Sequence, residues 1–225
     1  MSLRTYTGRK FWPLNPRAED LDIRDIAHAL SQICRWGGHT YCFYSVAEHS
    51  LRVSKLAEQL ALADWRRVLP KSTGGHSYAR DVALWGLLHD ASEAYLCDLP
   101  SPLKHAPGMG QLYKTYEARL MEMIATRYEL EPNIPPAVKR ADAILLNTEA
   151  RDLMEGINAE QEDWYQPSET LPETIYPMEL CAEAEFMRRF DALMAARQAE
   201  RLASTLDTVT YIATALSAAS SNSGS

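Results

Sequence analysis

Hydrophobic residues recur at spacings of three and four along most of the chain, which is the period of an α-helix. The first run begins at Asp22 and ends at the Gly37-Gly38 pair, which predicts one helix. Its apolar face is formed by Ile23, Ile26, Ala27, Leu30 and Ile33.

A helix start signal follows at Ser45-Val46-Ala47-Glu48. In such a capping box the serine hydroxyl and the glutamate carboxylate each accept a free backbone N–H at the start of the helix. The apolar face of the predicted helix continues as far as Leu60, through Val46, Val53, Leu56 and Ala57.

The segment from Val82 to Leu96 is apolar nearly all round, which predicts a single central buried helix. A loop from Pro70 to Tyr78 precedes it, and we expect Pro100 and Pro102 to terminate it.

Three further helical runs extend from about Gln111 to Tyr128, from Pro136 to Ile157 and from Pro177 to Ala203. Alternating strand patterns are absent and no linker divides the chain, so we predict one all-α helical domain over residues 1–205. It comprises an N-terminal arm at 1–20, a core at about 26–153 and C-terminal helices. Residues 206–225 form a tail that we expect to be partly disordered.

The charge balance limits the partners. The chain has 23 basic and 30 acidic side chains, a net charge of −7, which disfavours binding to a nucleic acid polymer or an anionic membrane. Its four cysteines form no CxxC pair, and the first ten residues lack the apolar run of a signal peptide. We therefore expect a cytoplasmic protein with reduced thiols.

Two histidines and an aspartate fall on faces expected to be buried. His89-Asp90 lies in the middle of the central apolar segment, and His49 lies on the apolar stripe of the capped helix. An ionised aspartate is rarely buried without compensation. The pair is either a hydrogen-bonded core feature or part of a metal site, and two inward histidines favour the metal.

Further carboxylates are available nearby. Asp142 is a candidate fourth ligand, unless it serves only as an acid favoured by a helix N-terminus. Glu93 follows on the same predicted helix face as His89 and Asp90, and Asp98 precedes two prolines, where aspartate is often only a turn former.

The spaced set His49, His89-Asp90 and Asp142 resembles the H...HD...D signature of the HD superfamily of metal-dependent phosphohydrolases. Three longer strings are similar to bacterial 5'-deoxynucleotidases: Arg35-Trp36, the run from Val46 to Ser50, and His89-Asp90-Ala91-Ser92-Glu93 continuing through Asp98 to Lys104. The opening from Arg4 to Arg17 more loosely resembles HD hydrolases of phages, some of which are dATP triphosphohydrolases.

The resemblance implies a single HD-domain helical bundle that binds one divalent ion, which is Co, Mn, Zn, Mg or Fe. The implied metal ligands are His49, His89, Asp90 and Asp142, and the implied acid–base residues are Glu93 and Asp98. The implied substrate-binding residues are Arg35 for the phosphate, Trp36 for the deoxyribose, and Asp98, Leu99, Pro100, Ser101 and Lys104.

We accordingly expect an enzyme that hydrolyses the 5' phosphate of deoxynucleoside monophosphates. One alternative is a dNTP triphosphohydrolase, for which Arg66, Arg67 and Lys71 are available either to hold a longer phosphate chain or as a solvated face. Another is a non-catalytic nucleotide-binding module. By similarity we expect a homodimer or higher homo-oligomer; Leu180, Phe186, Phe190 and Leu193 suit either its interface or the core.

Overall fold

The computed structural model describes residues 1–158, 160, 162, 164–178 and 181–222, with side chains described as far as residue 207. The N-terminal arm carries a short hairpin, in which β1 (Leu3–Arg4) pairs antiparallel with β2 (Lys10–Phe11). The sequence pattern did not predict these strands, since two residues are too few to show an alternation. Phe11 is fully buried and stacks on Tyr95 with ring centroids 4.0 Å apart, which fastens the arm to the helices.

Helix α1 (Ile23–Gln32) begins where Asp22 caps it by accepting a hydrogen bond from the backbone N–H of Arg24. It ends earlier than predicted, because the chain leaves the helical conformation at Ile33. A 3₁₀ turn follows over Arg35–Gly38.

Helix α2 (Val46–Val68) starts at the predicted cap, where the hydroxyl of Ser45 accepts from the backbone N–H of Glu48 at 3.1 Å. The second half of the capping box does not form. The Glu48 carboxylate instead accepts from Arg52 and from the backbone N–H of Met178, each at 2.8 Å. Tertiary partners therefore compete successfully for this carboxylate.

The prediction of one helix from Val82 to Leu96 is wrong. Helix α3 (Gly75–Leu88) and helix α4 (Glu93–Leu96) are separated by tight turns, in which Ala91 donates to the Leu88 carbonyl at 3.0 Å and Glu93 to the Asp90 carbonyl at 2.9 Å. His89-Asp90 thus lies at the end of a helix. The apolar pattern continues through the break, so periodicity alone does not reveal it.

The prolines expected to terminate that helix have a different position. Helix α4 ends at Leu96, and Pro100 and Pro102 lie at the start of helix α5 (Ser101–Lys104). Proline is well tolerated there because the first N–H groups of a helix have no intrahelical acceptor.

Helices α6 (Met109–Tyr128) and α7 (Pro136–Leu153) occupy predicted segments, although α7 ends before Ile157 because Met154 is extended. Helix α8 (Ala182–Asn222) begins after the predicted Pro177 and runs beyond Ala203. The helix crosses the predicted domain boundary at residue 205 and includes much of the predicted tail. The single-domain assignment stays a prediction. Residues 223–225 lie outside the described part.

Close packing of α2 and α3 positions the functional residues. A Cβ atom on Gly86 would lie 3.0 Å from the Cα atom of Ser54, so glycine is what permits this approach. The Ser54 hydroxyl donates to the Ala83 carbonyl at 2.8 Å across the same contact.

The main core is closed by α8, whose Phe186, Phe190 and Leu193 are buried among the other helices. These residues therefore belong to the core, whereas Leu180 lies outside the described residues. With helices as its dominant elements, the described chain confirms the predicted all-α fold class. None of its described helices combines the length and the apolar character needed to cross a membrane.

Candidate metal centre and active site

The side chain of His49, on α2, is completely buried and is oriented through its Nδ1 atom. This atom lies 2.5 Å from the Glu149 Oε1 atom, so Nδ1–H donates to the carboxylate. The Nε2 atom then points the other way, 3.1 Å from Asp142 Oδ1 and 3.8 Å from Asp90 Oδ2. Such an arrangement makes Nε2 the nitrogen of this ring that is available as a metal ligand.

His89 is oriented in the same manner, but by a backbone group. Its Nδ1 atom donates to the Gly86 carbonyl at 2.8 Å. Its Nε2 atom lies 3.3 Å from Asp90 Oδ2 and 3.9 Å from Asp142 Oδ1. Burial opposes the charged form of this imidazole, but the Asp90 carboxylate overcomes it and raises the pKa of His89 to about 9.

The donor set fits a divalent cation. Ligand atoms of His49, His89 and Asp90 lie within 4.8 Å of one another, and Asp142 faces both imidazoles. Both Nε2 atoms are buried and neither makes a directed hydrogen bond with a described residue. A cation would satisfy both nitrogens and neutralise the two carboxylates. The structure thus brings all four predicted ligands together, from α2, the end of α3, and α7.

Glu149 is the residue at this site that the sequence pattern did not single out. It is completely buried, and it accepts from Arg35 Nε at 3.1 Å and Tyr44 OH at 2.9 Å as well as from His49. Burial acts to raise the pKa of Glu149, but Arg35 and His49 lower it below its ordinary value. The sequence does contain one indication of this role, because Glu149 lies two turns after Asp142 on the same face of α7.

Arg35 and Trp36 lie on the 3₁₀ turn before α2. The Arg35 guanidinium is paired with Glu149, and its Nη1 atom is 3.6 Å from Asp90 Oδ2. Trp36 adopts a left-handed backbone conformation with φ of 58° and ψ of 26°, which non-glycine residues rarely take. The turn therefore delivers a permanent positive charge to the four-residue cluster.

Glu93 is buried and held by a lysine. Its Oε1 atom accepts from Lys104 Nζ at 2.9 Å, while its Oε2 atom is buried without a described hydrogen-bond partner. Burial and the charges of Asp90 and Asp98 raise the pKa of Glu93 to about 8, against the opposing effect of Lys104. Lys104 also lies 3.5 Å from Glu117, so two carboxylates engage the lysine that was predicted to contact phosphate.

The other predicted substrate residues lie between the end of α4 and the first residue of α5. Cys97 has a positive φ of 67°, which turns the chain after α4. Asp98 and Leu99 are half-buried, whereas Pro100 and Ser101 are exposed. The Ser101 hydroxyl lies 3.4 Å from His105 Nδ1. Their contacts with substrate stay predictions.

Comparison with known proteins places this cluster in a family context. The model of the family described as 5'-deoxynucleotidase YfbR-like matches residues 25–194, well over half of the chain. The uncharacterized protein YfdR of Escherichia coli is 36% identical over 151 residues, which cover 67% of this chain and 71% of that protein. The 5'-deoxynucleotidase plu3092 of Photorhabdus laumondii is 38% identical over 97 residues, 41% of this chain and 46% of that protein.

Another relative, the uncharacterized protein RCAP_rcc00048 of Rhodobacter capsulatus, is 37% identical over 141 residues, 61% of this chain and 63% of that protein. All the residues of the candidate site fall inside the span matched by the family model. The family model therefore covers the part of the chain in which the cluster lies.

Proposed function

Because the chain belongs to the YfbR-like 5'-deoxynucleotidase family, we propose that it hydrolyses deoxynucleoside 5'-monophosphates to deoxynucleosides and phosphate with one divalent cation. Membership confirms the predicted resemblance and the predicted enzyme class, a nucleotide phosphohydrolase. The metal dependence and the monophosphate substrate are our proposal.

The observation that carries the proposal is the pair of buried Nε2 atoms, on His49 and His89, which lack hydrogen-bond partners among the described residues. Their other ring nitrogens are committed to Glu149 and Gly86, so both Nε2 atoms face the carboxylates of Asp90 and Asp142. Asp90 and Asp142 would complete the ligand set. When bound, a divalent cation acidifies a coordinated water and neutralises charge on a phosphate.

Arg35 suits the substrate phosphate. A guanidinium stays charged at all relevant pH values and binds phosphate oxygens through two parallel hydrogen bonds. Its Nε atom is engaged by Glu149, which leaves the Nη groups facing Asp90 to contact a phosphate near the four ligands.

Glu93 and Asp98 would act as the general acid and the general base of the reaction. The oxygen of the attacking water forms a bond to phosphorus while the bond between phosphorus and the 5' oxygen breaks. One proton leaves the water and one is taken up by the 5' oxygen. A Glu93 carboxyl whose pKa is near 8 exchanges a proton readily near neutral pH.

Trp36 would pack against the deoxyribose and exclude a 2'-hydroxyl. Its position directly after Arg35 in the chain supports this role. A site shaped to a sugar without this hydroxyl rejects the ribose analogue by steric exclusion and by desolvation of the extra polar group.

The triphosphohydrolase alternative has less support. Arg66 and Arg67 lie 17 and 18 positions after His49 on the same helix, so the rise of an α-helix puts them roughly 25 Å away. Arg67 pairs with Asp64 and is exposed. These side chains, and Lys71 beyond the end of α2, belong to a distant solvated surface.

An anion-exchange product assay tests the proposal. Purified protein supplied with metal is incubated with the four dNMPs, the four dNTPs and the matching ribonucleotides. We expect inorganic phosphate from deoxynucleoside monophosphates alone. Triphosphate released from a dNTP would replace the proposal by the triphosphohydrolase, and binding without turnover would favour the non-catalytic module.

A matched pair of variants assigns the activity to the site. We expect Asp90→Ala to abolish metal binding and turnover while the circular dichroism spectrum stays helical. Asp81→Ala, which lies on α3 and pairs with Arg197 away from the site, should keep both properties. An active Asp90→Ala enzyme without metal would contradict the site assignment.

A further inference from the structure

The indole of Trp36 packs against a second tryptophan from a distant part of the chain. The ring centroids of Trp36 and Trp164 lie 5.5 Å apart, with planes inclined by 37°. The Nε1 atom of Trp36 is buried and has no described hydrogen-bond partner, whereas that of Trp164 donates to Glu162 at 2.9 Å. Ring packing against Trp164 is therefore an interaction that orients the Trp36 indole.

Trp164 begins a segment that we call the strap, residues 164–178, of which all are described. The strap is fastened to the helices by side-chain acceptors for its backbone N–H groups. These bonds are Gln166 to Asn147 Oδ1 at 2.6 Å, Leu171 to Thr148 Oγ1 at 2.9 Å, Ile175 to Asp152 Oδ2 at 2.8 Å, and Met178 to Glu48 Oε1 at 2.8 Å.

The anchors are buried and lie close to the candidate metal centre in the sequence. Asn147 and Thr148 are 3% and 0% exposed, and both lie on α7 between Asp142 and Glu149. The adjoining Tyr165 is also buried. Helix α7 thus carries two residues of the metal centre and three of the four acceptors that hold the strap. The fourth acceptor, Glu48, directly precedes His49 on α2, so the position of Trp164 is tied to the centre.

We propose that Trp164 is a positioning residue for sugar selection: by packing on Trp36 it holds that indole against the deoxyribose of the substrate. This inference rests on the proposed function and extends it to the strap. The left-handed backbone of Trp36 needs outside support, since a side chain in this conformation is not favoured by the local chain. Packing between two aromatic rings supplies that support.

The test compares Trp164→Ala, Trp164→Phe and wild type on a deoxynucleoside monophosphate and its ribonucleotide. The quantity measured is the ratio of the two kcat/KM values. We expect Trp164→Ala to lower this discrimination roughly 10-fold, while kcat for the deoxynucleotide changes by less than about 3-fold. Trp164→Phe should retain the discrimination because it keeps a ring, an outcome that a general packing defect would not produce.

Two further variants sharpen the test. Trp12→Ala removes a half-exposed tryptophan of the N-terminal arm and should leave the ratio unchanged. Since both residues act through one indole, Trp36→Ala combined with Trp164→Ala should discriminate no worse than Trp36→Ala alone.

Far-ultraviolet circular dichroism gives a readout that does not depend on activity. Two tryptophan rings in contact produce an exciton couplet, and Trp36→Ala and Trp164→Ala should each remove the same couplet.

An unchanged ratio in an active Trp164→Ala enzyme would overturn the role of Trp164 and leave the hydrolase in place. A wild type that hydrolyses deoxynucleotides and ribonucleotides equally well would do the same. A wild type that hydrolyses none of these substrates would instead overturn the proposed function, and this inference with it.

Discussion

At the scale of single residues, one buried carboxylate organises the candidate site. Glu149 is shared by an imidazole on α2, a guanidinium on the 3₁₀ turn and a phenol from the segment between the turn and α2. It fixes which nitrogen of His49 carries the proton and it neutralises Arg35. Of the side chains around the centre, the candidate ligands could be predicted from residue type and spacing, whereas this support required the packing of α7 on α2.

Glu149→Gln tests that support. The amide still accepts from His49 but loses the charge that holds the imidazole and Arg35, so we expect metal affinity to fall about 10- to 100-fold. Isothermal titration calorimetry measures it. Glu183→Gln, which alters the partner of His28 away from the site, should leave affinity unchanged. Equal affinity in Glu149→Gln and wild type would contradict the role.

A second residue makes stability depend on pH. Hydrogen bonding from the Arg24 side chain, supported by the Arg24 backbone N–H and by Arg9, lowers the pKa of Asp22 from 3.8 to about 2. Since the folded pKa is the lower one, Asp22 contributes stability above about pH 4, and the contribution is lost as pH falls toward 2.

We expect Asp22→Asn to lower the unfolding free energy by roughly 1–2 kcal/mol at neutral pH, a figure reduced for the exposure of Arg24. The difference from wild type should vanish between about pH 4 and pH 2, as followed by urea denaturation at each pH. Asp20→Asn, which removes a surface pair with Arg17, should change stability by less than about 0.5 kcal/mol. A constant difference across the range would contradict the charge argument.

At the scale of elements, the α2–α3 contact determines the distance between the two histidines. Helix periodicity and the Ser45 cap predict both elements. The break after Leu88 is not predictable from the apolar pattern, because it depends on backbone bonds of three-residue span and on His89 bonding to Gly86. The strap could not be predicted from the sequence for a related reason, because its backbone N–H groups donate to side chains of α7 and α2.

Gly86→Ala should separate these helices. The added methyl would meet backbone atoms of Ser54 and Val53 at 3.0 to 3.2 Å, and overpacking of this kind outweighs the gain of about 1 kcal/mol in helix propensity. We expect a net loss of about 1–2 kcal/mol in thermal or urea unfolding, together with weaker metal binding as His49 and His89 move apart. Unchanged stability and affinity would show that α2 accommodates the methyl group.

At the scale of the whole molecule, α8 completes the main core, to which α1 to α4 and α6 also contribute. Phe186 is completely buried, and ion pairs of Arg197 with Asp81 and of Arg80 with Glu200 join α8 to α3. The apolar period of this segment predicted a helix, but the choice between core and subunit interface needed the packing. The oligomeric state and the cytoplasmic location stay predictions.

Phe186→Ala should cost about 3–5 kcal/mol of unfolding free energy, since it leaves a cavity in a core that cannot close fully. Leu202→Ala, on the exposed part of the same helix, should stay within about 0.5 kcal/mol of wild type. Urea denaturation of both variants compares them directly. Equal losses would show that the outer part of α8 is as well packed as the inner part.

The hydrogen bond between His49 and Glu149 joins positions 100 apart in the chain. As the chain grows from its N-terminus, both histidines and Asp90 exist well before the helix that carries Asp142 and Glu149. A cation held by the four ligands would bind only after the late helix has docked, and at 100 times its dissociation constant it would add about 2.7 kcal/mol to native stability. Metal binding would then occur only in the completely folded molecule. A chelator that removes the metal would lower the native stability by the same amount and so act as a mild denaturant.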